Sequence, residues 1–246
     1  MGMPISVEVI DSSATPEHIE EVYSYFNYID EKFSTYKDSS EISRFNRDEI
    51  KQNDLSDDMK TILDLSEVTK NETDGYFNIQ RADGSYDPSG LVKGWAIYNA
   101  AKLLEHEGIK NFYVDAGGDI QTKGKNAQGN TWSVGIRDPF NVKEKKIVKT
   151  VYLKDKGIAT SGTYIRGQHI YNPKDRNKII SEIVSLSVIG TNVYEADRFA
   201  TAAFAMGKRG IEFLEELPGF EAYMIGSNGI ATMTSGFEKY TQNDNA

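Results

Sequence analysis

The sequence predicts an α+β fold in which helices pack against mostly antiparallel strands. Amphipathic helical patterns alternate with short runs rich in β-branched and aromatic residues, and turn residues separate these runs at hairpin spacing. No internal repeat and no change of composition marks a linker. We therefore expect a single domain over residues 1–246, built as two closely joined lobes.

The first third of the chain is predicted to hold one strand and two long helices. The strand covers residues 7–10. A threonine–proline pair then starts a helix, which the spacing of its apolar residues extends over 15–33. A polar stretch interleaved with aromatics follows and includes a short helix. A serine cap begins the second long helix, over 56–70.

The remainder is predicted to alternate helices with strands. A helix over 90–106 ends at a glycine and leads into a strand that runs into Gly117-Gly118. Three successive strand segments follow: TWSVGIRDP, KTVYLKDKGIATSG and RGQHIYNP. The last third is predicted to hold a strand (SEIVSLSVIG), a helix stopped by a glycine (ADRFATAAFAMG), a short helix (IEFLEEL) and a hairpin (EAYMIGSNGIATMT) turned at residues 227–229.

The composition narrows the possible functions. The chain has 28 Lys and Arg against 37 Asp and Glu, a net charge of −9, so we expect no broad basic face and no nucleic-acid partner. No apolar run approaches the roughly 20 residues of a membrane span, and the start lacks the basic and apolar regions of a secretory signal. The absence of cysteine excludes disulfides, thiolate metal sites and cysteine nucleophiles.

Several polar residues could carry chemistry. Asp197 and Thr201 are four residues apart in a helix of small residues, so both could face one hard cation such as Mg²⁺. Alternatively, Asp197 stands in the first helical turn for the helix dipole while Thr201 packs among alanines. Lys93 lies in the first turn of a helix, where a phosphate would be favoured, although a solvated lysine fits equally. His169 lies before a proline turn and could be structural or functional.

Motifs of the commonest nucleotide and metal enzymes are missing from the sequence. It contains no metalloprotease helix motif, no Walker A loop and no GxGxxG. This disfavours a zinc protease, a P-loop NTPase and a Rossmann dehydrogenase. The glycines of DAGGDI offer bare backbone at the end of a strand, which is weak evidence for a ligand site.

A series of motifs along nearly the whole chain resembles one family in content and in order. The series is MGMPISVEV, FSTYKDSSEISRFN, TDGYFNIQ, DPSGLVKGWA, DAGGDI, GIRDP, ATSGTY, HIYNP and ADRFATAAFAMG. It is similar to the FAD:protein FMN transferase family, also called ApbE. The resemblance implies an ApbE-like α+β fold and a Mg²⁺-dependent transfer of FMN from FAD to a threonine or serine hydroxyl of an acceptor flavoprotein, with release of AMP.

The resemblance also implies roles for individual residues. FAD, the substrate, would be contacted by Met1, Tyr36, Tyr76, Phe77, Asn78, Asp87 and Lys93. Mg²⁺ would be held by the Gly90 carbonyl and by the Asp197 and Thr201 side chains. His169 would act as general base for the acceptor hydroxyl or would position it, so His169, Asp197 and Thr201 form the expected catalytic set.

The chain departs from the family pattern at a few positions. Asn78 and Asn172 stand where the family usually has aspartate, and Asp175-Arg176 replaces a Thr-Gly pair. Losing these carboxylates could change affinity for FAD or for the acceptor. Many members are lipoproteins, whereas this chain has no cysteine to lipidate, which indicates a cytoplasmic member or a trimmed exported protein.

Two alternative functions remain open at this point. An FAD pyrophosphatase would use water as the nucleophile at the same metal site and release FMN and AMP. A non-catalytic FAD-binding protein would fit if Asn78 or the altered HIYNP segment had removed activity.

Overall fold

The computed structural model describes residues 2–144, 146–164, 167, 170–175 and 179–242. Its helices are α1 (Pro16–Phe33), α2 (Glu41–Asn46), α3 (Asp57–Glu72), α4 (Ser89–His106), α5 (Val193–Ala205) and α6 (Gly210–Glu215). Its strands are β1 (Ile5–Val9), β2 (Phe112–Ala116), β3 (Asp119–Lys123), β4 (Trp132–Arg137), β5 (Ile147–Leu153), β6 (Gly157–Gly162), β7 (Ile183–Gly190), β8 (Glu221–Gly226) and β9 (Ala231–Met233). One-turn 3₁₀ segments lie at Gln52–Asp54, Val142–Glu144, Gly207–Arg209 and Phe237–Tyr240.

The strands form a seven-stranded sheet in the order β1-β2-β3-β6-β7-β8-β9 and a separate β4–β5 hairpin. All of these neighbouring strands pair antiparallel. The predicted α+β class with mostly antiparallel strands is confirmed. That the whole of 1–246 forms one domain stays a prediction.

The helices of the first half bury one apolar face each. In α1 the buried residues Val22, Phe26, Ile29 and Phe33 recur at intervals of three and four, which places them on one side of the helix. Phe33 meets Trp95 of α4 edge-on, with ring centroids 6.1 Å apart. These contacts belong to a core that also takes in the buried side of α3 and β2. The core fixes α4, which carries several predicted site residues.

The small residues of α5 allow it to lie close to both α4 and the large sheet. Its alanines and Phe204 are buried, and all of them except Ala202 contribute to a second core with Leu186 and Val188 of β7. A third core lies between the β4–β5 hairpin and the sheet. Ile158 belongs to this third core while the adjacent Ala159 belongs to the second, so the two cores lie on opposite faces of the sheet.

Most predicted elements are confirmed, including α1, α3, α4 and the hairpin turn, where the Gly229 amide donates to the Gly226 carbonyl at 3.0 Å. The segment RGQHIYNP was wrongly predicted as a strand, because its described residues, 167 and 170–173, lie outside the strands. An Asx turn ends this segment, since the Lys174 amide donates to Asn172 Oδ1 at 2.9 Å.

Other boundaries differ for local reasons. KTVYLKDKGIATSG contains two strands, β5 and β6, separated at Asp155, whose φ of 52° breaks the extended chain. The strand β3 directly after Gly117-Gly118 was not predicted. Helix α5 begins at Val193 because the Asn192 side chain accepts from the Glu195 amide at 3.0 Å. Within the described ranges, no helix has the length and apolar character needed to cross a membrane.

Candidate active site

Two glycines of α4 allow α5 to approach it closely. A Cβ built on Gly94 would lie 2.5 Å from Asp197 Cβ, and one built on Gly90 would lie 2.9 Å from Thr201 Cγ2. The four-residue spacing of the glycines matches that of Asp197 and Thr201, so the two pairs face each other across the helix contact. The Gly94 amide donates to Asp197 Oδ2 at 2.7 Å, and Thr201 Oγ1 donates to the Gly90 carbonyl at 3.2 Å.

Asp197 is therefore not a helix-dipole residue in the first turn of α5. The helix begins four residues earlier, at Val193, and the Asp197 side chain points into the α4–α5 contact. Thr201 does pack among alanines, but its hydroxyl also faces the Gly90 carbonyl. The structure thus brings together the three groups expected to hold a metal ion.

Lys93 extends between two buried carboxylates beside this contact. Its Nζ lies 2.5 Å from Asp119 Oδ2 and 3.9 Å from Asp197 Oδ1. Asp119 is the first residue of β3, and its Oδ1 accepts from the Thr160 amide of β6 at 2.9 Å. The tight turn before β3 uses Gly117 and Gly118, whose positive φ values of 66° and 97° favour glycine.

Burial is the main cause of the raised pKa values of two carboxyl groups at the site, Asp197 and Asp115. It raises the pKa of Asp197 to about 7; Lys93 and the Gly94 amide oppose this rise, whereas the charge of Asp119 adds to it. Burial also raises the pKa of Asp115, a cavity-lining residue of β2, against the hydrogen bond that its Oδ1 accepts from the Gly118 amide at 2.8 Å. A bound cation would favour the ionised form of Asp197.

The oxygen atoms at the α4–α5 contact suit a hard divalent cation. They comprise a carbonyl (Gly90), a hydroxyl (Thr201) and a buried carboxylate (Asp197), which are ligand types that Mg²⁺ accepts alongside water and phosphate. In the described part of the chain, no group of three or more His, Cys, Asp or Glu could hold a metal ion. The donor set therefore fits Mg²⁺ better than a histidine- or thiolate-bound transition metal.

Two adjoining cavities meet at Lys93, beside this group. The first, of about 460 Å³, is lined by Gly90, Lys93, Asp197 and Thr201, together with parts of β2, β4 and β6. The second, of about 1000 Å³, lies toward the end of α1. The residues shared by both linings are Gly2, Met3, Asp87, Ser89, Lys93 and Tyr171. Lys93 and the N-terminus of α4 thus stand where an elongated ligand would pass from one cavity to the other.

The segment after α3 forms one wall of the first cavity. Phe77 is buried, and its ring would be 3.4 Å from a Cβ on Gly90, so it supports the start of α4. The Tyr76 hydroxyl accepts a hydrogen bond from Arg209, and Lys174 lies over the Tyr76 ring at 4.7 Å. Asn78 Oδ1 accepts from the Gln80 amide at 2.9 Å, which leaves its side chain in a local turn.

Tyr36 and Asp87 lie at the second cavity. Tyr36 follows α1 and is 96% exposed, so its ring is open to stacking by a ligand. Asp87 pairs with Arg81, and its Oδ1 accepts from the Ser89 amide at 3.1 Å, just before α4 begins. Two predicted residues, Met1 and His169, lie outside the described residues. Ile170, directly after His169, lines the first cavity.

Sequence reasoning gave no role to four residues that the structure places at the site: Gly94, Asp115, Asp119 and Arg137. Gly94 carried a usable signal, because Gly90 and Gly94 repeat the spacing of Asp197 and Thr201. The sequence signal for Asp119 was weaker: it is an acidic residue directly after a glycine turn. Arg137 reaches the cavity from the end of β4, and its position depends on how the β4–β5 hairpin lies over the sheet.

Comparisons with known proteins show what the chain as a whole is similar to. A Haemophilus influenzae protein named FAD:protein FMN transferase is 25% identical over 98% of this chain and 90% of its own length. An Escherichia coli K12 protein of the same name is 30% identical over 69% of this chain, and that match spans 50% of the E. coli protein. The structure of a flavin transferase ApbE from Vibrio cholerae has the same fold, with a TM-score of 0.83, 24% identity and coverage of 98% of this chain and 96% of that one.

A family model also matches most of the chain. The model described as the ApbE family matches residues 1–85 and 80–224, and so covers most of the chain, including both helices of the α4–α5 contact. The chain belongs to the ApbE family.

Proposed function

We propose that this chain is an FAD:protein FMN transferase, which moves the FMN half of FAD onto an acceptor protein. The observation that carries the proposal is the group formed by Gly90, Lys93, Asp197 and Thr201 in the first cavity, which joins the second cavity at Lys93. One partly buried cationic side chain, one helix N-terminus and one set of oxygen ligands meet there, as a pyrophosphate between two larger ring systems would require.

The reaction balances as a phosphoryl substitution. A threonine or serine hydroxyl oxygen of the acceptor forms a bond to the FMN-side phosphorus of FAD, and the bond from that phosphorus to the bridging oxygen breaks. The hydroxyl proton leaves to a base, AMP departs with the bridging oxygen, and FMN remains attached through a phosphoester. Such transfers depend on positioning and on charge stabilisation more than on covalent catalysis.

The residues of this chain would supply most of that stabilisation. The Lys93 ammonium faces the first cavity from the opening turn of α4 and would neutralise pyrophosphate charge. The positive end of the α4 helix dipole would add to this. Mg²⁺, held by the Gly90 carbonyl and the side chains of Asp197 and Thr201, would supply further charge neutralisation at the phosphates.

The remaining site residues would bind the two ends of FAD. Tyr36 offers an exposed ring at the second cavity, while residues 76–78 form a wall of the first. Asp87 lies between the two cavities and Met1 would lie next to Gly2, which lines both. We propose that these residues hold the substrate by stacking and hydrogen bonding.

His169 is proposed as the general base for the acceptor hydroxyl, because it precedes Ile170 at the first cavity. Replacing it tests this role directly. His169→Ala should abolish transfer while FAD affinity, followed by flavin fluorescence, stays nearly unchanged. A strong loss of FAD affinity would instead place His169 in the cofactor site.

The transferase is tested by the mass of an acceptor domain. The protein is incubated with FAD, Mg²⁺ and a candidate acceptor, and intact mass is followed together with AMP and free FMN. A gain of one FMN on the acceptor, matched by AMP, supports the transferase, and the acceptor with its threonine replaced by valine should gain nothing. Free FMN with an unmodified acceptor would support the pyrophosphatase instead. Asp197→Ala serves as the control enzyme, and excess Mg²⁺ should partly restore its activity.

A further inference from the structure

The place of Lys93 between two acidic side chains has a consequence for the metal site. Its ammonium contacts Asp119 at 2.5 Å but stays 3.9 Å from Asp197. Both carboxylates are buried, with Asp119 1% and Asp197 4% exposed, so each would attract the lysine strongly in the absence of the other. The Lys93 ammonium is therefore held by the Asp119 carboxylate, and the Asp197 carboxylate lies beside this pair.

Asp119 is fixed more rigidly than the lysine that it holds. It starts β3, where the adjacent Ile120 pairs with Ile158 of β6. Its second oxygen accepts from the Thr160 amide at 2.9 Å, so both carboxylate oxygens have defined neighbours. Lys93, by contrast, places its charge at the end of a flexible four-carbon stem. The position of the ammonium is thus set mainly by Asp119.

We propose that Asp119 is a positioning residue that holds Lys93 away from Asp197 and so keeps the Asp197 carboxylate open to a divalent cation. The inference rests on the proposed metal-dependent function and adds a residue to it. Without Asp119, the ammonium could close the remaining distance to Asp197 and form a direct ion pair. That pair would compete with Mg²⁺ for the same carboxylate.

The test measures Mg²⁺ binding without turnover. Thermal unfolding is followed as Mg²⁺ is titrated, with neither FAD nor acceptor present, and the midpoint of the stabilisation gives the apparent affinity. Asp119→Asn keeps an oxygen that can accept from the Thr160 amide but removes the charge that holds Lys93. We expect roughly tenfold weaker Mg²⁺ binding, a coupling of the size seen between contacting charged groups.

Asp115→Asn is the matched control for charge alone. Asp115 lines the same cavity and interacts electrostatically with both Lys93 and Asp119, while its hydrogen bond goes to the Gly118 amide. Its replacement removes the same unit of charge without removing the carboxylate that contacts Lys93. We expect a Mg²⁺ affinity within about threefold of the wild type, because the Coulomb effect of a charge falls with its distance from the ion and Asp115 has no ion pair with Lys93 among the described contacts.

A double variant separates positioning from a structural effect. Lys93→Met in the Asp119→Asn background removes the competing ammonium, so Mg²⁺ affinity should return to within about threefold of the wild type. Asp119→Glu, which keeps the charge, should recover part of the loss. If Asp119→Asn alone does not fold, Asp119→Glu takes its place in the comparison: it should bind Mg²⁺ more weakly than the wild type, and adding Lys93→Met should restore the affinity.

The Mg²⁺ affinities of these variants decide between the possible explanations. A tenfold loss in Asp119→Asn that is reversed by Lys93→Met supports the inference. Equal losses in Asp119→Asn and Asp115→Asn, or a double variant that binds Mg²⁺ no better than Asp119→Asn, would overturn it while leaving the proposed metal site intact. A wild-type protein that Mg²⁺ does not stabilise at any concentration would overturn the metal site itself, and the inference with it.

Discussion

At the scale of single residues, Asp197 is subject to opposing electrostatic effects. Its carboxylate is buried between two helices and receives one amide hydrogen bond, from Gly94. Burial disfavours its charged form, and the neighbouring Asp119 adds to that cost, whereas Lys93 offsets part of it. The ionised Asp197 carboxylate therefore destabilises the folded protein, and a bound cation would offset that cost.

This state makes the stability of the metal-free protein depend on pH. The pKa of Asp197 is about 7 in the folded protein against an ordinary value of 3.8, so the folded state holds the proton more tightly. Its stabilising effect is complete below pH 4 and is lost as pH rises toward and through 7. We expect Asp197→Asn to remove roughly 4 kcal/mol of that pH dependence.

Urea unfolding at several pH values, in the presence of a chelator, measures this effect. The wild type should lose stability relative to Asp197→Asn between pH 4 and pH 8, and added Mg²⁺ should stabilise the wild type more at pH 8 than at pH 6. Parallel stability profiles for the two proteins would show that the Asp197 carboxyl does not titrate in this range.

Arg198, the neighbour of Asp197, has a structural role at the same helix. Its buried guanidinium pairs with Glu72 of α3 and, at 2.6 Å, with Glu195 of α5. Arg198→Met should destabilise the protein by about 2 kcal/mol, because it leaves the half-buried Glu195 carboxylate and the exposed Glu72 carboxylate without their cation. Urea unfolding measures the loss, and Arg44→Met, at an exposed pair with Glu49, should cost less than about 1 kcal/mol. Equal effects of the two variants would contradict this account.

At the scale of elements, the α4–α5 contact depends on the absence of side chains at two positions. Gly94→Ala would normally favour a helix by about 1 kcal/mol. Here its Cβ would lie 2.8 Å from the Val193 carbonyl as well as close to Asp197, and the helix backbone cannot easily move. We expect a net loss of about 2 kcal/mol in the free energy of unfolding and a weaker Mg²⁺ response.

Gly90→Ala provides the comparison. Its Cβ would meet mainly the Thr201 side-chain methyl at 2.9 Å, which has more freedom than backbone. The loss of stability in chemical denaturation should therefore be smaller than for Gly94→Ala, while the Mg²⁺ response should still fall because Thr201 is displaced. A Gly94→Ala protein as stable as the wild type would show that the helices can separate without cost.

How far the sequence could predict these features depends on the range of the interactions. The helices α1, α3 and α4 were predicted within a few residues, since caps and apolar spacing act locally. The segment before Asn172 was mispredicted as a strand because its β-branched and aromatic residues resemble one, whereas the Asx turn at Asn172 interrupts it. Asp197 and Thr201 could be paired from their spacing alone. The contact between Lys93 and Asp119 could not, because it depends on where β3 lies relative to α4.

At the scale of the whole molecule, the cavities join parts of the chain that are far apart in sequence. The first cavity is lined by Met3 next to β1, by α4, by β6 and by α5. Met3 also packs against Gly117, where a Cβ would lie 3.0 Å from its sulfur. A ligand that fills this cavity therefore contacts the N-terminal segment, both site helices and the centre of the sheet at once.

FAD with Mg²⁺ should consequently stabilise the protein against global unfolding, and not only one loop. At a free FAD concentration one hundred times the dissociation constant, the expected gain is about 2.7 kcal/mol. Hydrogen exchange should slow in β1 and β2 as well as in α4 and α5, because their slowest amides open only when the cavity walls separate. Lys93→Met should show a smaller gain at the same FAD concentration, since it lacks the charge that faces the phosphates. Protection confined to the loop around Tyr36, with no change in α5, would mean that FAD occupies the second cavity alone and does not reach the proposed metal site.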